Sequence, residues 1–473
     1  MGPSRALRVL GPAILLVSAL VALLVALNVG GGAAPLPLQD PGAFVRWALP
    51  VAKLVTNLSA ALMIGPLVLA LFTLRPGERP FEQALNAASV GAALFTVAAA
   101  TTVFLTFMSI FNPQLSAERE FGAQLGRFLF ELPIGQAWVI AVILGAIVTL
   151  LLFAWRTWTP VLLTTVLAMA TLLPIATTGH SGDLSGHGLA VNSILLHMVA
   201  AAVWLGGLLL LVLLRGGGSV VDEPILRRYS SIALAAFVVV AASGLARSFV
   251  ALETWADLWT PYGAILIAKI ALLTGLGAFG VWYRMRLIPQ IASRSRSLSE
   301  AGRSPAESKG AQSTASAWFW RLVGAELALM GLASGRPRRS GAPPPGGDEV
   351  PAMRTPAELL MGEPVPPELT PIRWVTMWDV DILWLLGGLF GIFFYLAAVW
   401  RLRRRGHSWP VHRTVLWVVG LLALIWVTSG SINLYQDFLF SVHMLGHMLL
   451  GWDPAAAGGR GAHHPGAARD PQA

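Results

Sequence analysis

Apolar runs of about 20 residues recur along this 473-residue chain, each long enough to cross a ~30 Å hydrocarbon core. They fall at roughly 7–29, 47–72, 85–111, 133–154, 161–178, 189–214, 230–250, 262–283, 318–335, 380–400, 412–432 and 438–452. No other feature constrains the fold as strongly, because a segment in lipid must satisfy its own backbone hydrogen bonds, which a helix does. The runs predict an all-α fold, a polytopic transmembrane helix bundle of about 11–12 spans. Composition agrees. Charged residues make up 12% of the chain, against roughly 25% in soluble proteins, and the mean hydropathy is +0.67. Such a core is built between helices in lipid, not by burial from water.

The first run, MGPSRALRVLGPAILLVSALVALLVAL, has the basic start and apolar centre of a signal peptide. Its apolar part is too long for a typical signal core and no small-residue cleavage site follows, so it reads as a retained anchor helix. Arginine then orients the bundle. With the N-terminus cytoplasmic, the inner segments hold Arg75, Arg79, Arg156, Arg215, Arg227, Arg228, the loop RMRLIPQIASRSRSLSEAGRSPAESKG and RLRRRGHSWPVHR. The outer segments hold residues 30–46, GHSGDLSGHG and ALETWADLWTPYG. The net charge of +9 therefore belongs to the lipid bilayer and not to a nucleic acid. One basic segment, GRPRRSGAPPPGGDEV at 335–350, falls on the wrong side of this pattern. The Ser-rich run 292–316 reads as a disordered loop, and the Pro-rich segment after 340 as an extended linker.

The chain has no Cys, which excludes disulfides, thiolate metal sites and Cys nucleophiles and leaves soft-metal chemistry to its 9 His and 12 Met. Three groups stand out. In TTGHSGDLSGHGLAVNSILLHMVAAAVWLGGL, His180, Asp183 and His187 occupy a Gly/Ser-rich outer loop, and His197 and Met198 lie about two and a half turns down the next helix. A loop folding back over the helix mouth would bring His180 or His187 towards His197. In FSVHMLGHMLL, His443 and His447 are spaced i, i+4, as are Met444 and Met448, so each pair shares a helix face. Imidazole suits copper and thioether selects Cu(I). The ordinary alternative is that these His residues bond neighbouring helices and the Met residues pack. The third group is the intramembrane charge of Lys53, Arg247, Lys269 and Glu326, which points to ion pairing or a wet path, with snorkelling to a nearby interface as the ordinary alternative.

Four stretches, GHSGDLSGHGLAVNSILLHMVAAAVWLGGL, RRYSSIALAAFVVVAASGLARS, YGAILIAKIALL and FWRLVGAELALMGLASG, resemble the CopD family of copper-resistance membrane proteins, most strongly over 175–335. Residues 378–450, with RRRGHSWP and SVHMLGHMLL, resemble the start of the CtaG family of cytochrome c oxidase assembly factors. The fusion resembles an actinobacterial arrangement. Residues 1–340 are then a CopD-like domain, 341–372 the linker, 373–452 the N-terminal part of a CtaG-like domain and 453–473 an aberrant, disordered tail.

The resemblance implies a plasma-membrane protein, not an enzyme, that takes up copper, as Cu(I) or Cu(II), or supplies it to oxidase assembly. Its partners would be the copper ion, cytochrome c oxidase subunits or a periplasmic copper chaperone. The implied ligands are His180, His187 and His197, then His443 and His447, with Met198, Met444 and Met448 beside them. A b-type haem carrier using paired His, or a scaffold that binds no metal, are the alternatives. Where a CtaG-like chain continues with further helices, this one reads GWDPAAAGGRGAHHPGAARDPQA. That composition, like GRPRRSGAPPP, is the one expected of a GC-rich gene read out of frame, and it makes His463 and His464 accidental.

Overall fold

The structure, a computed structural model, describes residues 3–29, 33–35, 40–116, 118–178, 187–216, 223–251, 261–282 and 365–451, with a few isolated positions between them. All regular structure among these residues is helical. Eight of the described helices are long and apolar enough to cross a membrane. Of the twelve expected spans, 318–335 lies outside the described residues. The last one is seen as a 12-residue helix, Phe440–Gly451, only about 18 Å long.

The helices form two compact units. The first is Met1–Gly179 with Leu195–Pro344, and the second is His180–Ile194 with Pro345–Ala473. In chain order the elements are α1 (Pro3–Val29), α2 (Gly42–Phe72), α3 (Arg79–Phe111), α4 (Arg119–Phe130), α5 (Pro133–Ala154), α6 (Trp158–Ala170), α7 (Leu172–Thr177), α8 (His187–Gly216), α9 (Glu223–Ala251) and α10 (Pro261–Trp282). After these come α11 (Arg373–Thr376), α12 (Ile382–Arg404), α13 (Val411–Ser429), α14 (Ser431–Tyr435) and α15 (Phe440–Gly451).

Local chemistry sets several of these limits. Pro80 and Pro133 stand in the first turn of α3 and α5, where a missing N–H costs nothing. Asn112, at φ 45°, ends α3 in the left-handed conformation that Asn tolerates better than most residues. The Asp381 carboxylate caps α12, accepting from the backbone N–H groups of Leu383 (2.8 Å) and Trp384 (3.4 Å). Arg401, Arg403 and Arg404 crowd the last turn of α12, where positive charge complements the helix dipole.

The core of the first unit runs along α2, α3, α5 and α8, with Met63, Ile64, Leu67, Phe81, Phe95 and Leu210 fully buried. Hydrophobic burial from water does not press these helices together in lipid, so close packing has to. Gly65 of α2 and Gly206 of α8 meet backbone to backbone, and a Cβ on Gly206 would strike the Ala61 carbonyl. Thr56 and Thr102 add a buried hydroxyl contact of 3.1 Å between α2 and α3.

Helix α4 is the element that the apolar-run reading misses. Its residues REFGAQLGRFLF are apolar on one stripe only, with Phe121, Leu125, Phe128 and Leu129 at helical spacing. Phe128 is fully buried, 5.6 Å between ring centroids from Phe107 of α3, and Phe121 meets Phe107 edge-on at 5.6 Å. Two expected spans also prove to be jointed. Residues 158–177 break at Thr171 into α6 and α7, and residues 411–435 break at Gly430 into α13 and α14.

Candidate metal centre

In the first unit, half-buried His197 faces α9. Its Nδ1 lies 3.2 Å from Oγ of Ser243, which is fully buried. Two contacts fix α8 against α9 further along. Trp204 and Phe237 pack edge to face at 5.5 Å, and the Tyr229 hydroxyl donates to the Trp204 carbonyl at 3.0 Å. Met198 points elsewhere, because adjacent residues on a helix are about 100° apart, and it packs against the hydrophobic core. His180 lies outside the described residues. His187 is placed differently from the expected loop position: it is the first residue of α8. Ten residues of helical rise hold its backbone about 15 Å from that of His197, too far for one ion to bridge the two. Asp183 and Glu326 lie outside the described residues, as do the side chains of Arg247 and Lys269.

In the second unit, His443 and His447 of α15 turn their Nε2 atoms towards each other at 3.1 Å, with ring centroids 4.6 Å apart. Two imidazole nitrogens bound about 2.0–2.1 Å from one tetrahedral ion stand roughly 3.3 Å apart. The pair therefore already has nearly the spacing that one shared ion needs. Val442 and Gly446 form the buried side of α15, and Val442 joins Val427, Ile432 and Tyr435 in a small apolar cluster. Met444 and Met448, each one residue after a His of the pair, are 37% and 61% exposed. Among the described residues no group of three or more His, Asp or Glu side chains converges.

The last part of the expected linker and the residues after it, 365–381, form a strap tied to α13 and α14. Tyr435 donates to the Pro367 carbonyl at 2.7 Å, Ser431 to the Trp374 carbonyl at 2.7 Å and Trp426 to the same carbonyl at 3.3 Å. Asn433 donates to both the carbonyl (3.1 Å) and the carboxylate (3.0 Å) of Asp379, and Ser429 donates to the Asp381 carbonyl at 3.2 Å. Asn192 donates to the Asp381 carboxylate at 3.1 Å. Leu369, Trp374 and Met377 of the strap pack on the same apolar cluster that seats α15.

Burial raises the Asp379 carboxyl above its ordinary value, the charges of Asp381 and Asp437 push it the same way, and the Asn433 hydrogen bond opposes them. The folded state thus holds this proton more tightly than the unfolded chain does. The resulting stability is fully present below the unfolded value of 3.8 and is lost as pH rises through the raised folded value. Asp379→Asn should therefore raise the melting temperature at neutral pH and flatten its dependence on pH across that window. Thermal unfolding of the purified protein over a pH series checks this.

Sequence reasoning identified the His443/His447 pair but missed Ser243 and the strap. Asp381 carried a readable signal, an Asp immediately before an apolar run. Ser243 and Asn433 carried none, since their partners lie 46 and 54 residues away.

Three family models match the chain. The copper resistance protein D-like N-terminal domain matches residues 38–191, and copper resistance protein D matches 223–335. The cytochrome c oxidase caa3 assembly factor matches 393–452, which includes His443 and His447, whereas His197 falls between the first two matches. Uncharacterised proteins of Mycobacterium bovis and Mycobacterium tuberculosis are each 25% identical over 429 residues, and one of Mycobacterium leprae is 23% identical over 415. These alignments take in 87% of this chain, which spans 58% of the length of each relative. No solved structure matches. In chain order, the helical chain is similar first to copper resistance protein D sequence and then to caa3 assembly-factor sequence, the order a fusion of the two would have.

Proposed function

We propose that the protein handles copper at the outer face of the plasma membrane, taking it up or supplying it to cytochrome c oxidase assembly. The observation that carries this reading is the His443/His447 pair. Two nitrogens 3.1 Å apart on an accessible helix face, with Met444 and Met448 alongside, offer the mixed imidazole and thioether set that suits Cu(I). The copper resistance and oxidase-assembly matches support the same ion. His197 is the candidate ligand of the first unit. The haem alternative would pair His197 with His180 or with a His of the last helix; a haem held by both His443 and His447 does not suit their geometry. Axial ligands sit on opposite sides of the iron, whereas these two nitrogens face each other from one side of one helix, too close to admit an iron between them. Protein would move or store the ion without making or breaking covalent bonds in a substrate.

A Cu(I) competition titration against a chromophoric chelator tests the pair. His443→Ala and His447→Ala should each weaken binding by more than about tenfold, or about 1.4 kcal/mol. Met444→Leu and Met448→Leu should have smaller effects. Wild-type affinity in both His variants would remove the pair from the account.

A further inference from the structure

We infer that the turn between α12 and α13 binds an anionic phospholipid: Arg401, Arg404 and Arg405 hold its phosphate headgroup, and an apolar stripe of α12 beside them holds an acyl chain. The inference is independent of copper and needs only that α12 and α13 cross a membrane, as their length and hydropathy indicate. From Ile382 to Gln436 the chain carries five arginines, Arg401, Arg403, Arg404, Arg405 and Arg413, and no carboxylate side chain. Among the described residues none of the five makes an ion pair. Four of them fall within residues 401–405, so their charges repel one another at close range, and an anion shared among them relieves that repulsion.

The turn is pinned, and its arginines divide into two sets. Gly406, at φ 84°, reverses the chain directly after α12. Trp409 is buried; its indole N–H donates to the Tyr395 hydroxyl at 3.1 Å, and Tyr395 stacks on Trp417 at 5.0 Å. Arg403 and Arg413 are engaged with Trp409: Arg403 donates to its carbonyl at 3.5 Å, and the Arg413 guanidinium lies 5.5 Å from its ring centroid. Arg401, Arg404 and Arg405 are exposed, and the Arg404 guanidinium lies over the exposed Trp400 ring at 4.0 Å. No side chain caps the N-terminus of α13 at Pro410, so the positive end of that helix adds to the field at the same turn.

The surface next to these arginines suits a lipid tail. Leu389, Phe393, Leu396 and Trp400 follow one another at intervals of three or four residues, and all four are exposed. They form one stripe along α12, and the next step at the same spacing is Arg404. The helical rise from Leu389 to Trp400 is about 16 Å, close to half of the ~30 Å hydrocarbon core. The stripe therefore has the depth of one leaflet and ends where headgroups begin. Trp400 marks that boundary as interfacial tryptophans do, and a guanidinium stacked on an aromatic ring still presents its N–H edge to a phosphate. A free phosphate would use the arginines alone and leave the stripe without a role, whereas a phospholipid uses both. The positive end of a zwitterionic headgroup gains nothing from so many cations, and a headgroup of net negative charge does.

Native mass spectrometry of full-length, delipidated protein in detergent tests the site. Phosphatidylglycerol and phosphatidylcholine with the same acyl chains are titrated separately, and the retained lipid is counted. Wild type should hold phosphatidylglycerol more tightly than phosphatidylcholine. Each arginine removed should weaken that retention about fivefold, so Arg404→Gln should show a clear loss and the triple variant Arg401→Gln/Arg404→Gln/Arg405→Gln should lose the preference. Arg227→Gln on α9, where Arg227 already pairs with Glu223 at 2.6 Å, should leave it unchanged. Inorganic phosphate at matched concentration should not displace the lipid. Equal retention of both lipids by wild type overturns the inference, and that comparison uses the unaltered chain, so it decides even if the triple variant fails to fold. An undiminished preference in Arg404→Gln and the triple variant overturns it too, as does a loss in Arg227→Gln as large as in Arg404→Gln. Displacement by inorganic phosphate, or a dimer that forms in place of lipid binding and is lost in the triple variant, would assign the turn to a simple anion or to a second copy of the chain and likewise overturn it.

Discussion

Gly206→Leu should leave no stably folded first unit. Gly206 of α8 and Gly65 of α2 meet backbone to backbone, and any side chain at 206 runs into the Ala61 carbonyl. The obstruction is main chain, so no change of rotamer relieves it. The two helices would have to separate, carrying Leu205, Leu208 and Leu209 away from Met63, Ile64 and Leu67. Overpacking a well-filled core costs about 1–3 kcal/mol where side chains can yield. Here four heavy atoms meet backbone, and close contact is the main force between helices in lipid. The expected result is loss of the monodisperse peak in detergent size-exclusion chromatography. Gly206→Ala should destabilise by at least about 1 kcal/mol on the same reasoning. A normal yield of monodisperse Gly206→Leu protein would show that the crossing of α2 and α8 is looser than described.

The second large effect belongs to Asp381. Its carboxylate caps α12 and also receives the Asn192 amide. Replacing a capping Asp by Ala costs about 0.5–2 kcal/mol, and Asn192 loses its acceptor as well. Asp381→Ala should therefore lower the stability of the second unit by about 1–2 kcal/mol or slightly more. Asp381→Asn, which keeps a capping oxygen, should stay close to wild type. It should also weaken the push on Asp379, because one of the two neighbouring charges is gone. Denaturant titration of the three proteins side by side separates the cap from the charge.

How far the sequence carried the fold depended on the kind of signal. Runs such as PIGQAWVIAVILGAIVTLLLFA announce a helix by uniform hydrophobicity, and α5 occupies the expected 133–154. Helix α4 has no such run, only a period, and a reading built on apolar length passes over it. The joints at Thr171 and Gly430 interrupt the helical path without interrupting the apolar composition, so composition could not reveal them. The site divides in the same way. His443 and His447 are near neighbours on one helix, and the i, i+4 spacing alone predicted that they meet. His187 and His197 looked joinable because a Gly/Ser-rich loop was taken to include His187. The helix begins two residues earlier than that reading allows, and its rise separates them. Contacts such as Ser243 with His197, or Asn433 with Asp379, depend on which helices become neighbours. A single sequence does not contain that in any local pattern.

Copper and iron content of detergent-purified full-length protein, determined by elemental mass spectrometry, tests the central claim most directly. The account predicts copper bound to the wild-type chain, reduced in the His443→Ala/His447→Ala double variant, with no comparable iron. Iron in place of copper, or copper content unchanged in the double variant and in His197→Ala, would contradict it.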